Sequence, residues 1–266
     1  MLVALNLLVS IAWLVAIASA RSVAVQQRDY NSYVAAQLEK TDHLPTDENN
    51  TIRIQWVSEA HIAYVAGYIA RVIRPTSLFA LCHGTRAGRE QVWFRKHLAA
   101  ADIRVQVWGT ELSPTQAKVT PWTIAWDFHD VRPEWLGAAD FVYSNALDHS
   151  YNASLALERW MSEVRPGGAV LLHWSAGHEK PDKHGKSATD LFGTTAQKLR
   201  KMISASGTMQ VVDEIHLGDD LVAEENRKYR GHWRQRVYVV MRSGDALHAS
   251  SGRSTKSQMV TSGNAQ

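Results

Sequence analysis

The stretch SLFALCHGTRAG, residues 77–88, decides the fold. Residues 77–82 are an unbroken apolar run, the pattern of a strand covered on both faces. Gly84 and Gly88 follow, and then Phe94, Leu98 and Ala101 recur at helical spacing through a segment that reads as a helix from Gly88 to Ala101. A buried strand, a glycine turn and a helix in that order form the first unit of a parallel α/β sheet. Three further segments read alike: VQVWG (105–109) runs into GTELSP (109–114), WTIAW (122–126) into WDFHD (126–130), and DFVYS (140–144) into NALDHS (145–150). Polar residues stand wherever an apolar β-forming run stops. An open parallel sheet binds its ligand in the crevice outside the carboxyl ends of its strands. Four such ends therefore describe one pocket.

The flanking sequence extends the same pattern. Ser58 is placed to cap a helix that runs to about Ile73 and stops before Pro75. Ser154 to Val164 reads as a helix, Pro166-Gly167-Gly168 as its stop, and AVLLHW (169–174) as a fifth strand. After the polar stretch SAGHEKPDKHGKSATD (175–190) comes a helix to about Ser206, with Gly207 as its left-handed stop. MQVVDEIHL (209–217) and RVYVVMR (236–242) have no helical pattern between them, so the final pair is expected to be antiparallel. The fold class is α/β, doubly wound around a mostly parallel sheet with helices on both faces.

The amino-terminal part reads differently. Residues 1–20 contain no charged side chain and are long enough to cross a bilayer core. Ala18-Ser19-Ala20 fits a signal-peptidase site, and a helix buried in the fold is a third reading. Arg21 and Arg28 lie after the apolar run, which favours a transmembrane anchor with the domain facing the cytoplasm over secretion after cleavage. Residues 22–40 read as an amphipathic helix with Val23, Tyr30, Tyr33, Val34 and Leu38 on one face, and 41–50 as a loop. The expected organisation is an anchor or signal peptide over 1–20, a juxtamembrane helix and linker over 21–57, the α/β domain over 58–242 and a disordered Ser/Gly-rich tail over 243–266.

Composition excludes several classes. The net charge is only +3, with Lys and Arg spread along the chain, so no nucleic-acid partner is implied. The single cysteine, Cys82, rules out an intramolecular disulfide and a cysteine-based metal centre. His173, His178 and His184 have no regular ligand spacing; they read as part of a polar lid, and no metal is expected.

The ordered set LCHGTRAG, GTELSP, WDFHD and SNALDHS, with the Pro166-Gly167-Gly168 turn, resembles the class I (Rossmann-like) S-adenosylmethionine-dependent methyltransferases over roughly residues 75–242. Within that family it resembles methyltransferase-like proteins that carry a SNxLDHS segment. The resemblance implies a seven-stranded sheet, S-adenosyl-L-methionine as cofactor, and methyl transfer to an acceptor that the sequence does not name. It implies that Gly84, Thr85, Arg86 and Gly88 hold the methionine end, that Glu111 meets the ribose hydroxyls, and that Asp127 and Phe128 meet the adenine. It places Asn145 at the cofactor and turns Asp148 and His149 toward the transferred methyl, where either has the chemistry of a base.

Simpler roles stand beside these. The glycine loop is also a tight strand–helix turn, Glu111 a solvated charge, Phe128 a core residue, and Asp148 or Ser150 a helix cap. The family's acidic residue before the first glycine is absent, since Leu81-Cys82-His83 stands there. That departure keeps a second reading open, a catalytically inactive, membrane-tethered binding module. An NAD enzyme is disfavoured because the loop is G-x-x-x-G rather than G-x-G-x-x-G.

Overall fold

The computed structural model describes residues 29–44, 46–48, 56–73, 77–179, 191–218, 221 and 235–245. Seven strands form one sheet: β1 Ser77–His83, β2 Arg104–Glu111, β3 Thr123–Ala125, β4 Ala139–Ser144, β5 Val164–Trp174, β6 Met209–Leu217 and β7 Gln235–Arg242. Their spatial order is β3-β2-β1-β4-β5-β7-β6. The first five strands pair in parallel, and β7 runs antiparallel to both β5 and β6. The order reverses between β1 and β4, which makes the gap between their carboxyl ends the natural place for a ligand.

Among the described residues six α-helices accompany the sheet: α1 over residues 29–42, α2 Glu59–Val72, α3 Arg89–Ala99, α4 Pro114–Ala117, α5 Ala153–Glu163 and α6 Ala196–Ala205. The apolar run of β1 is divided between two cores by strand alternation. Leu78, Ala80 and Cys82 pack with Ile62 and Ile69 of α2 and Phe94 and Leu98 of α3. Leu81 packs on the opposite face with Leu157 and Trp160 of α5 and Leu199 and Ile203 of α6. Both faces are covered, which is why the run carries no polar alternation.

Local signals set the helix ends. Ser58 accepts from the main-chain N–H of His61, whose ring accepts from the N–H of Ser58, so α2 starts on a reciprocal cap. Gly88 sits at φ +74° as the N-cap of α3, a conformation that glycine adopts at little cost. Helix α5 is capped by Asn152, whose side chain accepts from Leu155 N at 3.1 Å. Neither Asp148 nor Ser150 does so, because Asp148 lies earlier, in the 3-10 turn Leu147–His149. The PGG segment also differs from expectation. Strand β5 begins at Val164, directly after α5, and Pro166-Gly167-Gly168 lie inside it where the β4 register shifts. A Cβ at Gly168 would stand 2.6 Å from Asp140 O, so the glycine allows a close strand approach rather than ending a helix.

Among the described residues no helix is long and apolar enough to cross a membrane. That finding overturns the membrane-anchored placement with a cytoplasm-facing domain. The hydrophobic helix over 1–20 that carried it lies outside the described residues, as do residues 22–28, 180–190 and 246–266.

Two polar contacts lock the layers. Arg242 of β7 donates to the carbonyls of Met161, Val164 and Arg165 at 2.8, 2.5 and 3.1 Å, satisfying acceptors left over at the end of α5. His83, at the end of β1, gives its Nε2–H to Glu163 at 2.7 Å and accepts at Nδ1 from the Thr110 hydroxyl at 2.9 Å. Both side chains of the pair are almost wholly buried, and the His83 ring stacks on Trp160. Removing one partner strands the other in the interior. Glu163→Ala is expected to lower the unfolding free energy by about 3 kcal/mol, read by chemical denaturation. A loss below about 1 kcal/mol, the size of an ordinary hydrogen bond, would show that the pair does not brace the sheet.

Candidate functional site

The site is assembled from the turn after β1 outward. Gly84 has φ +67°, and a Cβ there would lie 2.5 Å from the Ala146 Cβ and 3.5 Å from the Phe128 ring. Glycine is therefore required both by conformation and by the close approach of the β4 and β3 loops. Thr85 N donates to Thr110 O at 3.0 Å, and Gly88 N to Thr85 O at 2.9 Å, which closes the turn. Inside it Arg86, at φ +48°, points its main-chain N–H at Glu111 Oε2 at 2.7 Å. Ser113 N donates to Glu111 Oε1 at 3.0 Å. One backbone donor thus grips each carboxylate oxygen, and the plane of the group is fixed.

Glu111 is only 6% exposed. Burial pushes its carboxyl above the usual glutamate range, and the N–H bonds from Ser113 and Arg86 pull the other way without cancelling it. The folded state therefore holds its proton more tightly than the unfolded chain. Stability from this group is full below the ordinary glutamate pKa and is lost as pH rises through the raised one.

Two adjoining cavities open around this frame, sharing Lys40, Leu44, Gly84, Arg86, Ala146 and His149. The larger, about 340 Å3, is also walled by Glu90, Asn145, Asp148, Ser175, His178 and Gln235. The smaller, about 60 Å3, lies between Tyr33 and Gln37 of α1 and Glu111, Leu112 and Phe128 of the sheet edge. Phe128 is buried, and its carbonyl accepts from Trp160 Nε1 at 3.0 Å, so α5 fixes the β3 loop.

In the larger cavity, Asp148 Oδ2 stands between two imidazoles, 3.9 Å from His149 Nε2 and 3.8 Å from His178 Nε2. Lys40 Nζ approaches His149 Nδ1 at 3.5 Å. Gln235 is positioned by His173, whose Nε2–H it accepts at 2.8 Å, while Tyr143 donates to Nδ1 at 2.8 Å. Burial keeps the His173 ring well below its ordinary pKa, hence neutral, and able to both give and accept. His173 is thus an interior strand residue and not part of a lid.

The expected site residues separate into two groups. Gly84, Arg86, Glu111, Phe128, Asn145, Asp148 and His149 all line the cavities. Thr85, Gly88 and Asp127 do not appear in those walls. Thr85 and Gly88 shape the turn. Asp127 accepts at Oδ1 from both the main-chain N–H and the ring Nδ1–H of His129, at 2.8 and 2.7 Å, and at Oδ2 from the Tyr30 hydroxyl. Burial raises its pKa, but the bonds from His129 and Tyr30 outweigh that and hold the carboxyl below the usual range. The His129 ring continues the chain to Ser150 Oγ at 2.8 Å.

Sequence reading missed Lys40, Trp56, Glu90, Ser175 and Gln235. Of these only Glu90 carried a local signal, an acid in the first turn of a helix that follows a glycine loop. Among the described residues no group of three His, Cys, Asp or Glu side chains is placed to hold a metal ion.

No family model matches the chain, and no curated protein matches it. Solved structures do resemble it. The complex between the Haloferax volcanii Trm112 methyltransferase activator and the putative methyltransferase contains a chain of TM-score 0.52 and 16% identity, with 71% of this chain and 92% of that chain covered. MccD protein aligns with TM-score 0.51 and 11% identity, over 71% of this chain and 99% of that one. The CMeT domain of the citrinin polyketide synthase gives TM-score 0.50 at 13% identity, over 70% and 52%. At these identities the likeness establishes the fold alone, a Rossmann-like α/β sheet.

Burial raises the Glu111 pKa, so the unmodified protein is expected to lose stability relative to Glu111→Gln as pH rises from the ordinary glutamate pKa, near 4.3. The Gln amide sets an NH2 against one of the two backbone donors, a cost present at every pH, so the change in the offset carries the prediction. Melting temperatures of both proteins across pH 3–8 test this, and an equal offset at every pH would mean the carboxylate's burial is not the cause.

Proposed function

We propose that the chain is an S-adenosylmethionine-dependent methyltransferase. The observation that carries this reading is Glu111: a buried carboxylate at the end of β2, clamped by Arg86 N and Ser113 N, at the wall of a cavity that begins at Gly84. A carboxylate offers about four lone-pair sites; backbone N–H groups of Arg86, Leu112 and Ser113 bear on this one, and the acceptor capacity they leave suits a ribose hydroxyl. The Trm112-bound methyltransferase supports the reading through its fold alone.

The other walls fit the rest of the cofactor. Phe128 presents a ring beside Gly84 for the adenine. Glu90 offers from the first turn of α3 the acid that Leu81-Cys82-His83 lacks, and it is a buried residue in the wall of the larger cavity, where it would meet an ammonium. Its charge is close enough to contribute to the raised pKa of Cys82 and Tyr143, after the effect of their burial. Bound S-adenosylmethionine supplies an electrophilic methyl on a sulfonium. This chain's part is to hold the acceptor in line, exclude water and take a proton where the acceptor carries one. His149, flanked by Asp148 and facing the larger cavity, is placed for the proton, and Asn145 at the end of β4 for the orientation.

Calorimetry on the full chain tests the assignment. S-adenosylhomocysteine is expected to bind, and Glu111→Ala to weaken it about tenfold to a hundredfold, the loss of a charged acceptor. Glu90→Gln is expected to weaken S-adenosylhomocysteine but to leave 5′-methylthioadenosine, which lacks the amino-acid end, unchanged. Equal effects on the two ligands would remove Glu90 from the ammonium. Wild-type affinity in folded Glu111→Ala would remove the ribose assignment and with it the methyltransferase reading.

A further inference from the structure

Helix α1 occupies the place that an adenosyl ligand needs. The compartment bounded by Glu111, Leu112 and Phe128 is roofed by Tyr33 and Gln37 and has a volume of about 60 Å3. A cavity of roughly 150 Å3 holds a benzene ring, and a purine with its ribose is larger. The ligand therefore does not fit under α1 where the helix now lies. The roof is also fastened. The Tyr30 hydroxyl donates to Asp127 Oδ2, the oxygen not engaged by His129. Tyr33, only 6% exposed, packs on Tyr151 and His129 with ring centroids 5.5 and 5.9 Å away, and Tyr30 packs edge-on to Tyr151 at 5.9 Å. Burial and the bond to Asp127 both push the Tyr30 hydroxyl well above its ordinary pKa, so it stays a neutral donor.

We propose that α1 is a self-inhibitory strap: Tyr33 roofs the adenine compartment of the free protein, Tyr30 latches the helix to Asp127 beside it, and an adenosyl ligand binds by displacing the strap. The proposal rests on the methyltransferase reading above. The Tyr30 phenol donates to the Asp127 oxygen that His129 leaves open, the oxygen an exocyclic amine would meet once α1 has moved aside. The measured affinity is then the intrinsic affinity reduced by the fraction of molecules whose strap is open. Anything that lifts α1 raises affinity without touching the ligand.

The test is calorimetry of S-adenosylhomocysteine on the full-length protein and on Tyr30→Phe, with hydrogen exchange over residues 29–42. Phenylalanine keeps the ring contacts and loses only the latch, so binding is expected to tighten about tenfold, the low end for a hydrogen bond to a charged group. In the unmodified protein, amides of 29–42 are expected to exchange faster when ligand is bound. Slower exchange there would mean that α1 closes onto the ligand, and would overturn the strap. Unchanged or weaker binding by Tyr30→Phe, with clear binding by the unmodified protein, would overturn the strap alone. Absence of binding by both folded proteins would overturn the adenosyl reading and the strap together.

Discussion

The bond from Arg86 N to Glu111 joins the two strand ends on which the site depends. It requires the turn after β1 to pass through positive φ at Gly84, Arg86 and Gly88, and it requires β2 to run to its last residue before the chain turns at Ser113. Both follow from the register in which His83 pairs with Thr110. The same bond keeps an ionisable group in the interior, where burial works against its charge. A buried carboxylate in the wall of a cavity is the observation on which the proposed cofactor site rests. Behind it, the His83–Glu163 pair and the Trp160 bond to Phe128 O hold β1 and the β3 loop against α5.

Much of this was legible because parallel strands covered on both faces leave long apolar runs. SLFALC, DFVYS and AVLLHW announced themselves, and the polar residues that broke each run fell at the carboxyl edge, where Gly84, Glu111 and Asn145 now stand. The absence of a helical pattern between 217 and 236 gave the antiparallel pairing of β6 with β7. Boundaries were less readable. Pro166-Gly167-Gly168 has the composition of a helix stop, yet β5 starts before it, because glycine also serves a close approach of two strands. Asp148 and Ser150 have cap chemistry, but Asn152 is the residue in extended geometry one position before the helix, and it took the role.

What the sequence did not show depends on contacts between distant segments. Tyr30 and Asp127 are 97 residues apart, and nothing local to either marks the bond between them. The resemblance implied that Asp127 meets the adenine amine; in the free protein its two oxygens are engaged by His129 and Tyr30. Lys40, on α1, and Gln235, at the start of β7, reach one cavity only because the chain folds α1 over the sheet edge and brings β7 beside β5. Glu90 illustrates the middle case. Its acid was visible in the first helical turn, but its burial in the wall of the larger cavity was not.

A cofactor site for an adenosyl compound is proposed at the carboxyl edge around Glu111. A crystal structure of the full chain with S-adenosylhomocysteine tests it most directly. The expected result places both ribose hydroxyls on the two Glu111 oxygens, with the amino-acid end toward Glu90 and the purine beside Phe128. Electron density for the ligand anywhere else, or a ligand at this edge that leaves Glu111 untouched, would contradict the claim.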